Sequence, residues 1–516
     1  MKHTYLKYFF TFFIIILFPA ILFPDNGKTF GHPFFKQRSQ CVNIPRRMVG
    51  ELEHLFRPYM CEFNGSISLT PQYSNNFNRS EIGEYLFFNG TNTMIFGPAG
   101  EPQTDVAASQ FLLGEGFEGS VTTKPRIRNV VVNTAARFGF DNWVQNLYLD
   151  VQAPFNWTQW HLDLEETAID AGTGLIPIGQ VGNNLVTTTA PFDCILTAWD
   201  GQGIVEEIND TMNYARVDGP QTKIKLADMQ FALGYNFLNC DEKHLGINLR
   251  IIAPTGNRPK GVYFFEPISG GAKHTYVGGG IDGHFELYHN CCCQKYISFY
   301  FFGTFYHLFK TTQKRTFDLK NNGVGSRYLL IKRFDDYGDY DSTILRGPNI
   351  LTLDAHVSVG LMSECVALFS FQRKNATVDA GYSIWARTRE TITRKEELLS
   401  DHYGIKGNTN TLTLPAQSGQ TSSINQTASK SRINGDFFDD FDDEPVFLST
   451  DDIDFKGAEH PSALSHTLFG HVSFTWDHSK YLSGFWGFGG NVEISGSENT
   501  ALNQWSIWTK GGIYFS

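Results

Sequence analysis

What is scarce in this chain of 516 residues excludes most of the ordinary readings. Charged residues make up 18 %, against roughly 25 % in an average soluble domain. No basic stripe offsets the net charge of -11, which argues against a nucleic-acid partner. Past the first 23 residues, no stretch approaches the roughly 18 consecutive apolar residues that a membrane helix requires. Helical periodicity is also rare, with only 46–56 and 105–113 carrying a short amphipathic pattern. There is no Gly-rich phosphate loop and no CxxC pair. Nothing in the sequence calls for a cofactor or a bound metal, and no catalytic group stands out.

What is abundant is aromatic: 45 Phe and 15 % aromatics overall, together with 49 Gly. The chain opens with Lys2 and Lys7 ahead of an apolar run ending at Phe23, which reads as a secretory signal peptide over 1–23. Beyond it the dominant pattern has period two. Trp505, Ile507, Ile513 and Phe515 share one parity, and Gln504, Ser506, Lys510 and Tyr514 the other. Successive side chains of a strand point to opposite sides, so such a run has one apolar and one polar face. The same alternation recurs through Leu464–Trp476, Leu482–Ile494, Val378–Ala386, Leu351–Leu361, Val277–Leu287, Leu245–Ile251, Ala227–Phe237, Leu147–Val151, Trp160–Leu164 and Val130–Phe138. The stretch 294–310 is aromatic on both faces, and 327–333 is a weak candidate. These strands run to about 9–12 residues, where a globular strand averages roughly 5–6 and a membrane-spanning one needs about 9–11.

Tight connections near residues 239–243, 290–294, 373–376 and 477–480 alternate with long ones at 168–222, 254–274 and 393–461. Short turns on one rim and long loops on the other are the layout of an up-and-down barrel. The expectation is therefore an all-β, transmembrane, antiparallel up-and-down barrel of about fourteen strands, within a range of twelve to sixteen, over 129–516. Its apolar face would meet lipid, as at Phe231, Val357 and Val492. Residues 24–128 would form an N-terminal periplasmic or plug segment with short helices; the alternation at 63–73 is either a further wall strand or part of that segment, the latter being preferred.

The signal-like start, the strand pattern and the closing Trp505–Ile507–Ile513–Phe515 run resemble porin-like Gram-negative outer-membrane β-barrels, in which the last strand alternates and ends on an aromatic; here Phe515 is penultimate. The likeness is one of pattern, with no subfamily motif. It implies an outer-membrane location, a lipid bilayer as surroundings and a C-terminal strand read by the barrel insertion machinery.

In such a barrel the polar faces point inward. The lumen should carry His161, Asp163, Glu165, Asp228, Arg250, Asp282, His284, Glu286, Asp379, Arg387, Arg389 and Lys510. Opposed acids and bases across a bore discriminate solutes by charge. The function expected is passive diffusion of small hydrophilic solutes. The alternatives are a barrel filled by side chains and the 168–222 loop, serving a structural or adhesive role, and a secreted soluble β-sandwich that binds glycans. Ser473 and His471 share a face, but nothing in the sequence marks a third member of a triad. An exported chain permits disulfides: Cys41 with Cys61, and Cys240 with Cys291 or Cys293, are candidate bridges. The acidic stretch 436–454 reads as a solvated surface loop.

Overall fold

The computed structural model describes residues 30–52, 63–176, 188–203, 208, 210–240, 242–290, 294–338, 340–406, 422–426, 446–479, 481–496 and 503–515. The expected signal peptide and most of the acidic stretch lie outside these residues.

Twelve strands close into one antiparallel ring: β1 (Asn64–Asn76), β2 (Arg126–Gly139), β3 (Leu147–His161), β4 (Met229–Cys240), β5 (Lys243–Ala253), β6 (Tyr276–Asn290), β7 (Lys295–Thr316), β8 (Thr352–Arg373), β9 (Ala376–Arg387), β10 (Ala463–Ser479), β11 (Leu482–Ser495) and β12 (Gln504–Phe515). Each pairs with the strand before it, and β12 returns to β1 with Phe515 opposite Gly65. Closure leaves no edge of unpaired N–H and C=O groups, the condition for a sheet in hydrocarbon. Two short strands lengthen the wall at one rim, Gln221–Leu226 on β3 and Glu390–Arg394 on β8, which brings the number to the fourteen expected. A sandwich of two stacked sheets is excluded by the same closure.

The stretch 63–73, preferred as part of the plug segment, supplies β1 and completes the ring between β12 and β2. The turns after β2, β4, β6, β8 and β10 gather with Asn64 and Phe515 at one rim. The loops after β1, β3, β5, β7 and β9 gather at the other. There they build a cap of small sheets and short helices with its own apolar core, including Phe87, Phe96, Phe111, Trp199, Phe264 and Tyr328.

The outer wall is apolar and exposed, as at Leu233, Phe237, Ile247, Leu249, Leu468, Phe488, Val492 and Ile507. Phe231 and Val492 lie on this face as expected. A continuous girdle of this kind is far beyond what a soluble monomer presents to water; it is a lipid-facing surface. Near the turn rim it ends in aromatics, among them Phe63, Trp143, Tyr235, Tyr288, Trp476 and Tyr481, as an interfacial belt requires. Val357 does not join it. The register of β7 with β8 slips between Tyr306 and Thr311. Below the slip Glu364, Val366 and Leu368 face in; above it Leu353, Ala355, Val357 and Val359 do. The bulge reverses the parity, so the apolar face of upper β8 packs on the cap core rather than on lipid.

Candidate functional site

The ring is not empty. Residues 30–52 run down its axis from the cap to the turn rim. At the top, Arg327 donates to the carbonyl oxygen of Gly31 and is anchored in turn on Asp318. Phe34 lies under the Arg315 guanidinium, and Phe35 packs edge-on against Trp160. At the bottom, the Tyr514 hydroxyl donates to the carbonyl of Gly50 at 2.8 Å.

Midway the segment forms one helical turn, α1 (Ile44–Met48). The Asn43 side chain caps it by accepting from the Arg46 N–H at 2.9 Å, and Pro45 occupies the first turn, where its missing N–H costs nothing. Ile44, Met48, Val49 and Leu52 pack on inward apolar residues of the wall, including Tyr300, Leu368, Phe469 and Trp508. Gly50, at φ +76°, breaks the helix in the left-handed region. A Cβ there would stand 2.8 Å from the His471 ring. Lys510 of β12 caps the helix end: its ammonium donates to the carbonyls of Arg46, Arg47 and Val49 at 3.2, 2.8 and 2.9 Å and pairs with Glu51 at 3.2 Å. A cation at the negative end of a helix is the favourable arrangement.

Four further ion pairs fix the segment to the wall. Arg38 bridges Glu364 of β8 at 2.5 Å and Glu493 of β11 at 3.2 Å. Arg47 meets Asp150 of β3 at 2.5 Å. Lys36 lies 3.9 Å from Glu390, which also holds Arg315 and Arg387 at 2.7 and 3.3 Å. All these side chains are buried. Charges withdrawn from water persist best when paired, and Lys36, Arg38 and Arg47 each meet a carboxylate of the wall, whereas Arg46 donates to the neutral Gln72. Three voids described between plug and wall measure about 30 Å³ each, room for a water or two.

Most of the residues expected in the lumen are there. Asp282 accepts from Asn248 at 2.7 Å and Tyr148 at 3.2 Å, and His284 stacks between His244 and Tyr300. Arg250 donates to Asn248 and covers the Phe302 ring. Asp379 accepts from Ser370 and from the Gly50 N–H. Arg387 and Lys510 are inside as described. Asp228 stands at the loop rim, where the N–H groups of Gly256 and Gly271 donate to it. Glu286, on the inward parity, lies half-buried at the turn rim beside His289.

Four residues depart from the expectation. His161 has the outward parity of β3, whose inward residues are Asn156, Thr158 and Trp160. The chain turns at Asp163, with φ +55°, so the alternation read across 160–165 spans two elements. Asp163 pairs with Arg79 and Arg126 outside the bore, and Glu165 is exposed on a cap strand, Leu164–Ala171. Arg389 follows the break after β9 and pairs with Glu459 at 3.0 Å at the rim.

The sequence reading missed Asp150, Glu364 and Glu493 as site residues, and the plug cations altogether. Their signal was present: Lys36, Arg38, Arg46 and Arg47 fall within twelve residues that hold no acid, in a chain of net charge -11. Of the candidate bridge cysteines, Cys41 and Cys240 are free thiols in the structure. Cys41 packs against Val131 and Ala227 inside the ring. Cys61, Cys291 and Cys293 lie outside the described residues. Among the described residues of the 168–222 loop, the helix Ile195–Asp200 sits in the cap core rather than in the bore.

The structure adds an acid to Ser473 and His471, with Asp379 Oδ2 3.7 Å from His471 Nδ1. Ser473 Oγ makes no hydrogen bond to the ring, and the plug at Gly50 covers the imidazole. Outside the membrane-spanning strands, burial raises the Glu266 carboxyl in the loop after β5. Burial, with Arg387 beside it, holds the His460 imidazole well below its usual value.

No protein-family model and no curated protein matches the chain. Among solved structures, it is similar to an outer membrane channel from Pseudomonas putida F1, at 8 % identity and a TM-score of 0.33, over 89 % of this chain and 98 % of that one. It is similar to the translocator domain of the autotransporter NalP from Neisseria meningitidis, at 6 % identity and 0.30, over 92 % and 94 %. It is also similar to a FadL homologue from Pseudomonas aeruginosa, at 8 % and 0.27, over 88 % and 90 %. The closed antiparallel ring itself makes the fold here a β-barrel.

Proposed function

We propose that the chain is an outer-membrane channel for small hydrophilic solutes, held shut in this structure by its own residues 30–52. The observation that carries the reading is how the bore is filled. Its blockage is a separate segment of chain, seated on the wall by ion pairs and hydrogen bonds between Arg38, Arg47 or Glu51 and Glu364, Glu493, Asp150 or Lys510. Take that segment away and the exposed wall is largely polar, lined by Gln72, Asn129, Asn133, Asn156, Asn248 and Ser506 among others. A polar bore suits solutes that keep water around them, and a wall charged with both signs sorts them. The lipid-facing girdle places the ring in a bilayer, and a closed barrel of this type with an alternating, aromatic-ended β12 fits export and insertion into the outer membrane by the machinery that reads that strand.

A second reading rests on the cap, whose apolar core closes the loop mouth: a permanently filled barrel with a structural or adhesive role. Planar-bilayer recording separates the two. The wild-type protein should be mostly closed. R38Q/R47Q, which strips three of the plug's ion pairs to the wall, should show discrete conductance steps. A variant that still runs as the heat-modifiable folded form, yet passes no current, supports the filled barrel and sinks the channel.

A further inference from the structure

Resting on the reading of the lumen as a conduit, we propose that the open bore selects cations, including solutes bearing guanidinium or ammonium groups, and that the plug shuts it by laying its own cations over the carboxylates such solutes would pass. The charge of the plug is almost all of one sign. Between Phe30 and Leu52 the plug carries Lys36, Arg38, Arg46 and Arg47 against a single carboxylate, Glu51. The wall supplies the acids.

Two of those acids stand out because they come from strands three apart and converge on one guanidinium: Nη2 of Arg38 takes Glu364, and Nη1 takes Glu493. Every other described hydrogen bond to either acid comes from a neutral donor. Ser383 donates to Glu364 at 2.9 Å; Ser465 and Gln504 donate to Glu493 at 2.7 and 2.8 Å, with Gln40 at 3.5 Å. Removal of Arg38 therefore leaves two carboxylates held rigidly on either side of a space the width of a guanidinium, with no wall cation touching them. Such a pair attracts a replacement cation and repels anions, because both charges face one point in surroundings less screening than bulk water.

Elsewhere the wall balances itself. Glu390 keeps Arg315 and Arg387 when Lys36 leaves. Arg137 and Arg250 stand near Asp150. Lys510 loses Glu51 and becomes a free cation on β12. The Glu364–Glu493 level is thus where the bore would sort charge, and the plug's seated arginine shows the shape of ion it accepts.

The test uses the full-length chain carrying R38Q in planar bilayers under a KCl gradient, with guanidinium chloride as the second probe. The expected result is a potassium-over-chloride permeability ratio several-fold above one, with guanidinium carrying current comparably to potassium. Adding E364Q and E493Q should bring that ratio several-fold down, towards one. Openings with a ratio at or below one, or a ratio that E364Q/E493Q leaves unmoved, overturn the inference while leaving the channel standing. A folded, heat-modifiable R38Q that never conducts overturns the channel reading instead, and this inference with it. If R38Q does not reach the folded form, R38K serves: it keeps one charge but loses the fork that spans both acids, and its openings are judged by the same ratio.

Discussion

Leucine 249 offers the sharpest test of which side of the wall meets lipid. It lies on β5, where Leu245, Ile247, Leu249, Ile251 and Ala253 take the outward parity and His244, Asn248, Arg250 and Ile252 face in. The eight residue steps from Leu245 to Ala253, at about 3.4 Å each, cover ~27 Å along the strand, and a tilt of roughly 40° projects that to ~21 Å along the normal. That length fits within the apolar band of about 25 Å, with Leu249 at its centre. An arginine at the midplane costs roughly 2–4 kcal/mol, and the leucine it replaces forfeits up to about 1.5–2 kcal/mol of apolar transfer as well. L249R should therefore destabilise the barrel by at least ~2 kcal/mol. If the same face met water, a residue as exposed as Leu249, at 56 %, would tolerate arginine within about 0.5 kcal/mol. Reversible urea titration of the protein folded into vesicles, followed by tryptophan fluorescence and by heat-modifiable gel mobility, measures the difference. L399R, on an exposed cap residue, is the control and should stay within about 0.5 kcal/mol. An L249R barrel as stable as the L399R control would refute the lipid-facing assignment.

The remaining predictions concern the plug and the cap. R38Q/R47Q should turn a mostly closed protein into one that conducts in discrete steps, and the openings of R38Q should favour cations until E364Q/E493Q is added, as set out above. Cys41 is a free thiol, buried between plug and wall; in the wild type it should resist a water-soluble maleimide, and R38Q should speed its labelling by at least tenfold, read by mass shift, whereas equal rates would mean the plug does not leave. Glu266 accepts from the N–H groups of Lys260 and Gly261, and its carboxyl is raised by burial. A raised folded-state value binds the proton more tightly in the folded loop, so the stabilisation is complete below the ordinary carboxylate range and fades as pH rises through the raised value. E266Q should therefore match the wild-type thermal midpoint of the cap in acid and exceed it near neutrality; a difference that does not change with pH rejects the burial argument.

The wall was legible in the sequence because lipid and lumen impose one rule on every residue of a strand. β9, β10, β11 and β12 follow it without interruption: Tyr382, Leu468, Val492 and Ile507 face out, while Ser383, Thr467, Glu493 and Ser506 face in. The rule fails where the surroundings change. Above the β7–β8 slip the inside of the ring is no longer a polar bore but the floor of an apolar cap, so the greasy parity of Leu353 to Val359 turns inward, and a reading that assumes lipid beyond every apolar face inverts it. Asp163 shows the other limit. A single residue at positive φ ends one element and starts the next, and period-two counting passes across it without a signal. The plug was illegible for a different reason. Its twenty-three residues carry almost no periodicity, since only α1 is regular; what places it is the match of its basic side chains to carboxylates hundreds of positions away. Sequence displays the excess of Lys and Arg at 36–47 but not the acids it meets.

The groups that hold α1 explain why plug and ring belong together. Lys510 and Tyr514 come from β12, the last strand, and Gln72, which accepts from Arg46 at 2.5 Å, comes from β1, the first. These two strands form the seam that closes the cylinder, with Gln72 opposite Trp508 in the register. The cradle for α1 therefore exists only once β12 has docked on β1. Before that, the carbonyls of Arg46, Arg47 and Val49 lack the Lys510 ammonium that caps them. The converse holds as well: Lys510 is buried on the inner wall, and its four polar contacts to Arg46, Arg47, Val49 and Glu51 all come from the plug. A plug that withdraws must leave that ammonium to water, which a flooded bore supplies and a dry one does not. Withdrawal of the plug and wetting of the lumen are thus one event at Lys510, and a closed state this dry stays closed until both occur together.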